Sequence, residues 1–205
     1  MTEPLADAKR QFVVDRILTS ARRLVITAGL GVTMDQIAEA AGVSRRTLFR
    51  HFDTRDRLIA TAFTVAGDQL VQQWPLYDGD VHGWLQGICE VNHRGNSNAG
   101  PGYWELTSRT DLPPDLADFE RSRRALRRER IAELTRQLWD RSGGAGDPPA
   151  ALVASVSAHL SAHFTAAVVT EHGSSWEAAA EIARDAILAA LHGQLAGTGC
   201  PPVRN

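Results

Sequence analysis

Residues 33–52 read TMDQIAEAAGVSRRTLFRHF. Thr33 followed three positions later by Gln36 is a capping-box pattern. The hydroxyl takes an orphan amide of the first helical turn and the glutamine reaches back to the cap. A helix therefore starts at Thr33, with Ile37, Ala38 and Ala41 facing inward. Gly42 supplies the left-handed backbone that ends it, Val43 plugs the turn, and Ser44 caps a second short helix from Arg45 to about Phe52. On that helix Leu48 and Phe52 lie one turn apart and pack inward, leaving Arg45, Arg46, Phe49 and Arg50 on the opposite side.

Outward from this stretch the pattern stays helical. Val13, Ile17, Ala21, Leu24 and Ala28 recur at steps of three and four, so about Ala6 to Ala28 reads as one amphipathic helix closed by Gly29 and Gly31. Asp53-Thr54 offers a new cap, and Leu58, Ala62, Val65 and Leu70 continue a long helix to about Trp74-Pro75. Further helices are expected at Val81 to Asn92, Tyr103 to Ser108, Pro114 to Arg141, Pro148 to His172 and Ser175 to Leu195, between Gly-, Asn- and Pro-rich loops. No run with period two and β-branched enrichment occurs. The expectation is an all-α chain of about nine helices, divided into a helix-turn-helix domain over 1–53 and a helical regulatory and dimerisation domain over 54–205.

With 205 residues, 43% apolar and 22% charged, the chain has ample material for a core. Net charge is -2, but residues 1–60 carry ten basic against seven acidic side chains while the remainder is net negative. A basic end on an acidic body is the asymmetry expected where one end meets phosphate. Cys89 and Cys200 have no metal-like or redox-like spacing, which fits a reducing, cytoplasmic setting. Met1 to Arg10 has neither the apolar segment of a secretory signal nor that of an anchor. Ala150 to Val169 lacks Asp, Glu, Lys and Arg and approaches the roughly 20 residues of a membrane span. Its serines, histidines and small residues read instead as a helix buried on most of its circumference, with no membrane partner.

Two short helices joined by a glycine turn, the second bearing outward arginines, form the arrangement that inserts a helix into the DNA major groove. The run Thr33, Ile37-Ala38, Ala41-Gly42-Val43-Ser44, Thr47-Leu48-Phe49, His51-Phe52 and Leu58 resembles the tetracycline-repressor family of bacterial regulators. The resemblance covers about the first quarter of the chain and implies a cytoplasmic repressor. It further implies Thr33 and Ser44 as phosphate-side caps, Arg45, Arg46 and Thr47 as base-edge readers, and His51 and Arg55 as phosphate contacts. Phe49 stands where the family usually has Tyr, and Arg55 where it has Lys. Phe49 fits either the interface, against a thymine methyl, or the core, rotated toward the first helix.

One such unit makes too few contacts for operator-level affinity, so a homodimer on a palindromic double-stranded operator is expected. The uncharged helix and the one after it, through Val153, Leu160, Phe164, Val168, Ile187 and Leu191, are candidates for that interface. Trp74, Trp84, Tyr103, Trp104, Phe119 and His163 either line an apolar cavity for a small-molecule effector or form ordinary core. His159 and His163 have the i, i+4 spacing of metal-binding helices, with His93 or Glu171 as an imaginable third ligand. Without the Glu of a His-Glu-x-x-His motif they read as pocket or interface histidines, and no metal or cofactor is expected. Arg121 to Arg130, interleaved with Glu120 and Glu129, reads as a solvated helix face. No glycine-rich phosphate loop, nucleophile elbow or paired-carboxylate signature supports an enzyme. A helical protein-binding adaptor is the alternative.

Overall fold

The computed structural model describes residues 3–98 and 100–197, and Cys200 lies outside them. Helices α1 (Glu3–Ala28), α2 (Met34–Ala41), α3 (Arg45–His51), α4 (Arg55–Val71), α5 (Val81–Ser97), α6 (Gly100–Ser108), α7 (Pro114–Arg141), α8 (Ala150–His159), α9 (Ala162–Ala166) and α10 (Trp176–Gly197) follow in order, with a π-helical turn over Ala167–Glu171. Among the described residues there is no strand, so the expected all-α class holds. The packing divides into two compact units, one from Met1–Gln69 with Ala99–Arg123 and the other from Leu70–Asn98 with Arg124–Asn205.

The first unit is built on α1. Its inward stripe, Ile17, Ala21 and Val25, is fully buried with Ile37 and Ala41 of α2, Leu48 of α3 and Leu58, Ile59 and Ala62 of α4. Helix α6 joins from further along the chain and lies almost in backbone contact with α1. A Cβ at Gly102 would stand 1.9 Å from the Val25 carbonyl oxygen, and one at Gly100, where φ is +61°, 2.5 Å from that of Ile26. The carboxylate of Glu105 completes the seam by accepting the Leu30 amide at 2.9 Å. Thr54 starts α4 by accepting the Arg57 amide at 3.1 Å and donates its hydroxyl to Asp115 at 2.9 Å.

The second unit is organised by α10, which packs chiefly on α5 and α8. Ala180, Ala183, Ile187 and Leu191 of α10 share a core with Leu85, Ile88 and Cys89 of α5, Leu134, Leu138 and Trp139 of α7 and Leu152 and Val156 of α8. Burial pushes the Cys89 thiol up to about 12, so it is a packing residue and not a nucleophile.

One expected helix is broken. Pro148 to His172 does not run through: α8 ends at His159, α9 starts at Ala162, and the two segments are bent by 47°. The break is held by polar groups from other helices. Asn92 of α5 donates to the Leu160 carbonyl at 3.0 Å, Ser161 caps α9 by accepting the Phe164 amide at 3.0 Å, and Arg127 of α7 donates to the Ser157 carbonyl at 2.6 Å. Among the described residues no single helix is long and apolar enough to cross a membrane. The bend also puts His159 and His163 on different helices. Arg127, expected on a solvated face, instead ties α7 to α8. Helix α4 ends at Val71, short of Trp74, in a turn where the Trp74 amide reaches the Val71 carbonyl.

Behind the break His93 is fully buried, with Nδ1 2.8 Å from the Thr165 hydroxyl. Burial, with neighbouring His159 acting in the same direction, pushes its pKa down to about 4. The unfolded chain takes up this proton near pH 6.5. Between about pH 6.5 and 4 the unfolded state alone is protonated, so stability falls as pH drops through that window, by about 3 kcal/mol in all. Urea titrations from pH 7.5 to 4 are expected to show this loss, and His93→Gln to flatten it in the same window. Gly102→Ala, which forces α6 off α1, is expected to cost about 1–3 kcal/mol in the same assay.

Candidate nucleic-acid interface

The helix-turn-helix is set by local hydrogen bonds. Thr33 has both halves of its capping box: its Oγ accepts the Gln36 amide at 3.2 Å and its own amide donates to Gln36 Oε1 at 2.8 Å. Gly42 sits at φ 60° and ψ 39°, and the amides of Gly42 and Val43 close back on Glu39 and Ala38. Any other residue there is strained, and a Cβ would stand 2.6 Å from Arg16 Nη2. Ser44 caps α3 by accepting the Thr47 amide at 3.1 Å, and its hydroxyl pairs with that of Thr47 at 2.8 Å. Arg16 of α1 donates to the Ala41 carbonyl at the end of α2, a contact the sequence reading did not include.

With Leu48 fully buried and Phe52 nearly so, α3 turns the opposite face out: Arg45, Arg46, Phe49 and Arg50 are all exposed. Phe49 is 42% exposed, which settles the choice between core and surface in favour of surface. It packs beneath Arg45, whose guanidinium carbon lies 5.7 Å from the ring centroid. Thr33 and Ser44 are exposed at the starts of the two helices, and Thr47 is half-buried with its hydroxyl engaged by Ser44.

Two of the sequence candidates sit differently. Arg55 is turned onto its neighbour Asp56, Nε and Nη2 both reaching Oδ1 at 2.9 and 2.6 Å, so its charge is largely matched within the protein. His51 is half-buried and lines a cleft of about 500 Å³ with Asp7, Arg10, Gln11, Val14, Phe52 and Thr61. Its Nε2 is buried without a hydrogen-bond partner. Burial first, then the positive charges of Arg50 and Arg10, holds its pKa below the usual histidine value. Arg45, Arg46, Phe49 and Arg50 remain the four side chains that α3 turns outward. The sequence reading also missed Asp35, whose carboxylate pairs with Arg45 Nε at 3.1 Å. The two are ten positions apart across a turn, a separation with no periodic signature.

The other candidate sets divide. Tyr103, Trp104 and Phe119 belong to the first unit, Trp74, Trp84 and His163 to the second, so neither unit gathers all six. Trp84 takes the ordinary-core place: it is buried in the second core, donates to the Pro75 carbonyl at 3.0 Å and carries Arg141 over its ring. Tyr103 packs against Phe63 with centroids 5.8 Å apart. Of the interface candidates, Leu160, Ile187 and Leu191 are corrected, since each is buried in its own unit's core. Val153, Phe164 and Val168 are half-buried. Among the described residues no group of three His, Cys, Asp or Glu side chains is placed to hold a metal ion.

Comparison with known proteins places this geometry. Residues 17–62 match the sequence model of the bacterial regulatory proteins of the tetR family. An uncharacterized HTH-type transcriptional regulator of Mycobacterium tuberculosis, found in two strains, is 41% identical over 58 residues, 28% of this chain and 29% of the relative. That match thus spans under a third of the relative's length. The fold is shared much further. A Rhodococcus sp. structure described as a TetR-family transcriptional regulator superposes with a TM-score of 0.70 at 20% identity, over 87% of this chain and 98% of that one. NalD, the secondary repressor of the MexAB-OprM multidrug efflux pump in Pseudomonas aeruginosa, superposes with a TM-score of 0.63 at 18% identity, over 89% and 97%. The helix-turn-helix over residues 17–62 is thus similar in sequence to that of the tetR family of bacterial regulatory proteins, and the helical fold along nearly the whole chain is that of the two solved structures.

Proposed function

We propose that the chain is a sequence-specific, DNA-binding transcriptional repressor that works as a homodimer on a palindromic operator in the cytoplasm. The observation that carries this reading is the outward face of α3. Three arginines and Phe49 project from a helix whose orientation is fixed by two caps, a left-handed glycine and a fully buried Leu48. Such a face suits the major groove, where arginine bridges guanine O6 and N7, and the exposed helix starts at Thr33 and Ser44 suit phosphates. NalD is a repressor, and the same sign of control is inferred for this chain. The reading is one of binding, with no catalytic step.

Dimerisation is supported by the second unit. The exposed positions Ala151, Ala154 and Ala158 of α8 and Ile182, Ala189 and Gly193 of α10 are uncharged and small apart from Ile182, which permits close helix approach. These replace Leu160, Ile187 and Leu191 as the contact residues. Control by a small-molecule effector is supported by two buried nitrogens of the same unit, Trp74 Nε1 and His93 Nε2, which meet no hydrogen-bond partner from the protein. Such groups suit a polar ligand. An effector that binds one arrangement of the dimer better than another shifts the population and with it DNA affinity.

Electrophoretic mobility shift on the DNA upstream of the protein's own gene tests the reading: retardation that steepens as salt falls is expected, and no retardation of any fragment at low salt overturns it. Arg46→Ala is expected to weaken the specific complex by about 1–3 kcal/mol with little change in binding to unrelated DNA. Ala189→Glu is expected to yield a monomer by light scattering and to abolish the specific band while leaving the helical signal intact.

A further inference from the structure

Resting on the DNA-binding reading, we propose that Asp35 is a positioning residue that presents Arg45 to a guanine and thereby fixes one base pair of each half-site. Asp35 occupies the first turn of α2 and Arg45 the first position of α3. The left-handed turn at Gly42 brings them together, with Asp35 Oδ1 3.1 Å from Arg45 Nε. On its other side the guanidinium lies over the Phe49 ring, 5.7 Å from Cζ to the centroid. A carboxylate on one edge and an aromatic face beneath restrain both the direction and the plane of the group.

The chemistry of the edge decides what this restraint is for. A guanidinium offers two donor edges, one that includes Nε and one formed by the two terminal nitrogens. Asp35 takes Nε. The terminal pair is left to match O6 and N7 of guanine in the major groove, a bidentate contact that needs the fork held in the base-pair plane. Stability does not explain the pair, since both side chains are mostly exposed, 66% for Arg45 and 60% for Asp35, where an ion pair contributes little. Nor does affinity, because a carboxylate beside the groove is repelled by the phosphates. What remains is direction. Phe49 contributes a plain ring at this position, so nothing on it competes for the guanidinium nitrogens or for Asp35.

The assignment separates two quantities that otherwise move together. Removing Asp35 takes a negative charge from the DNA-facing surface, so binding to unrelated duplex should hold or strengthen. Removing the restraint on Arg45 should weaken binding to the cognate site. Only a positioning role moves the two in opposite directions.

Full-length wild type, Asp35→Asn, Asp35→Ala, Arg45→Ala and the Asp35→Ala/Arg45→Ala double variant would each be used to select duplexes from a randomised library. Each would then be titrated against the wild-type-selected duplex and a scrambled duplex. Circular dichroism melting checks that every variant folds, and neither Asp35 substitution removes a member of the Thr33–Gln36 capping box of α2. The wild type is expected to select a palindrome with one guanine per half-site that Arg45→Ala no longer prefers. Asp35→Asn should lose preference for that same guanine by at least about fivefold, with scrambled-duplex affinity equal or higher. In the Arg45→Ala background, removal of Asp35 should have no further effect on specificity. The proposal is overturned if Asp35→Asn retains the guanine preference, if it binds the selected duplex more tightly with an unchanged motif, which would make Asp35 a brake on Arg45, or if the double variant loses specificity beyond Arg45→Ala. If the wild type itself selects no sequence, it is the DNA-binding reading that falls.

Discussion

The near-contact of α6 with α1 is the constraint on which the unit that carries the helix-turn-helix rests. Two glycines, Gly100 and Gly102, allow the backbones to meet where any side chain would collide with the carbonyls of Val25 and Ile26. Helix α1 in turn supplies the buried stripe of Ile17, Ala21 and Val25 and reaches the end of α2 through Arg16. The direction of α3 is therefore inherited: it follows α2 through a turn that only a left-handed residue completes, and α2 follows α1. A recognition surface of exposed side chains needs such support, because none of its own members contributes burial.

The polar groups of the two units have different tasks. In the first they sit at helix starts and turns, where each satisfies a backbone group that the helix leaves open. In the second they gather where α8 gives way to α9, with Asn92, Arg127 and Ser161 holding the bend and His93 set against Thr165. A straight helix across this region would have buried its carbonyls in regular bonds. The bent one depends on side chains of α5 and α7.

How far the sequence foretold this follows from the range of each interaction. The capping box at Thr33, the turn at Gly42 and the cap at Ser44 were all legible, because every partner lies within five residues, and the outward face of α3 was legible from the one-turn spacing of Leu48 and Phe52. Phe49 was not, since its periodicity allows two directions and only packing selects one. The break after His159 was missed because its partners lie on α5 and α7, some seventy residues before for Asn92 and thirty for Arg127. Leu160, Ile187 and Leu191 were correctly recognised as apolar-face residues, but a hydrophobic stripe does not say whether the same chain or a second copy covers it. The aromatic set failed as a group for a related reason: composition counts side chains without saying which unit receives them.

The first unit is discontinuous in the chain. Its helix-turn-helix is complete in sequence by Phe52, yet the helix that seats α1 begins only at Gly100, after the whole of α5. During synthesis the chain leaves the ribosome N-terminus first, and a domain closes only when its last segment is available. The outward face of α3 thus reaches its final geometry only once α6 has emerged. A nascent or truncated chain that stops earlier carries the arginines of α3 on an unfinished scaffold.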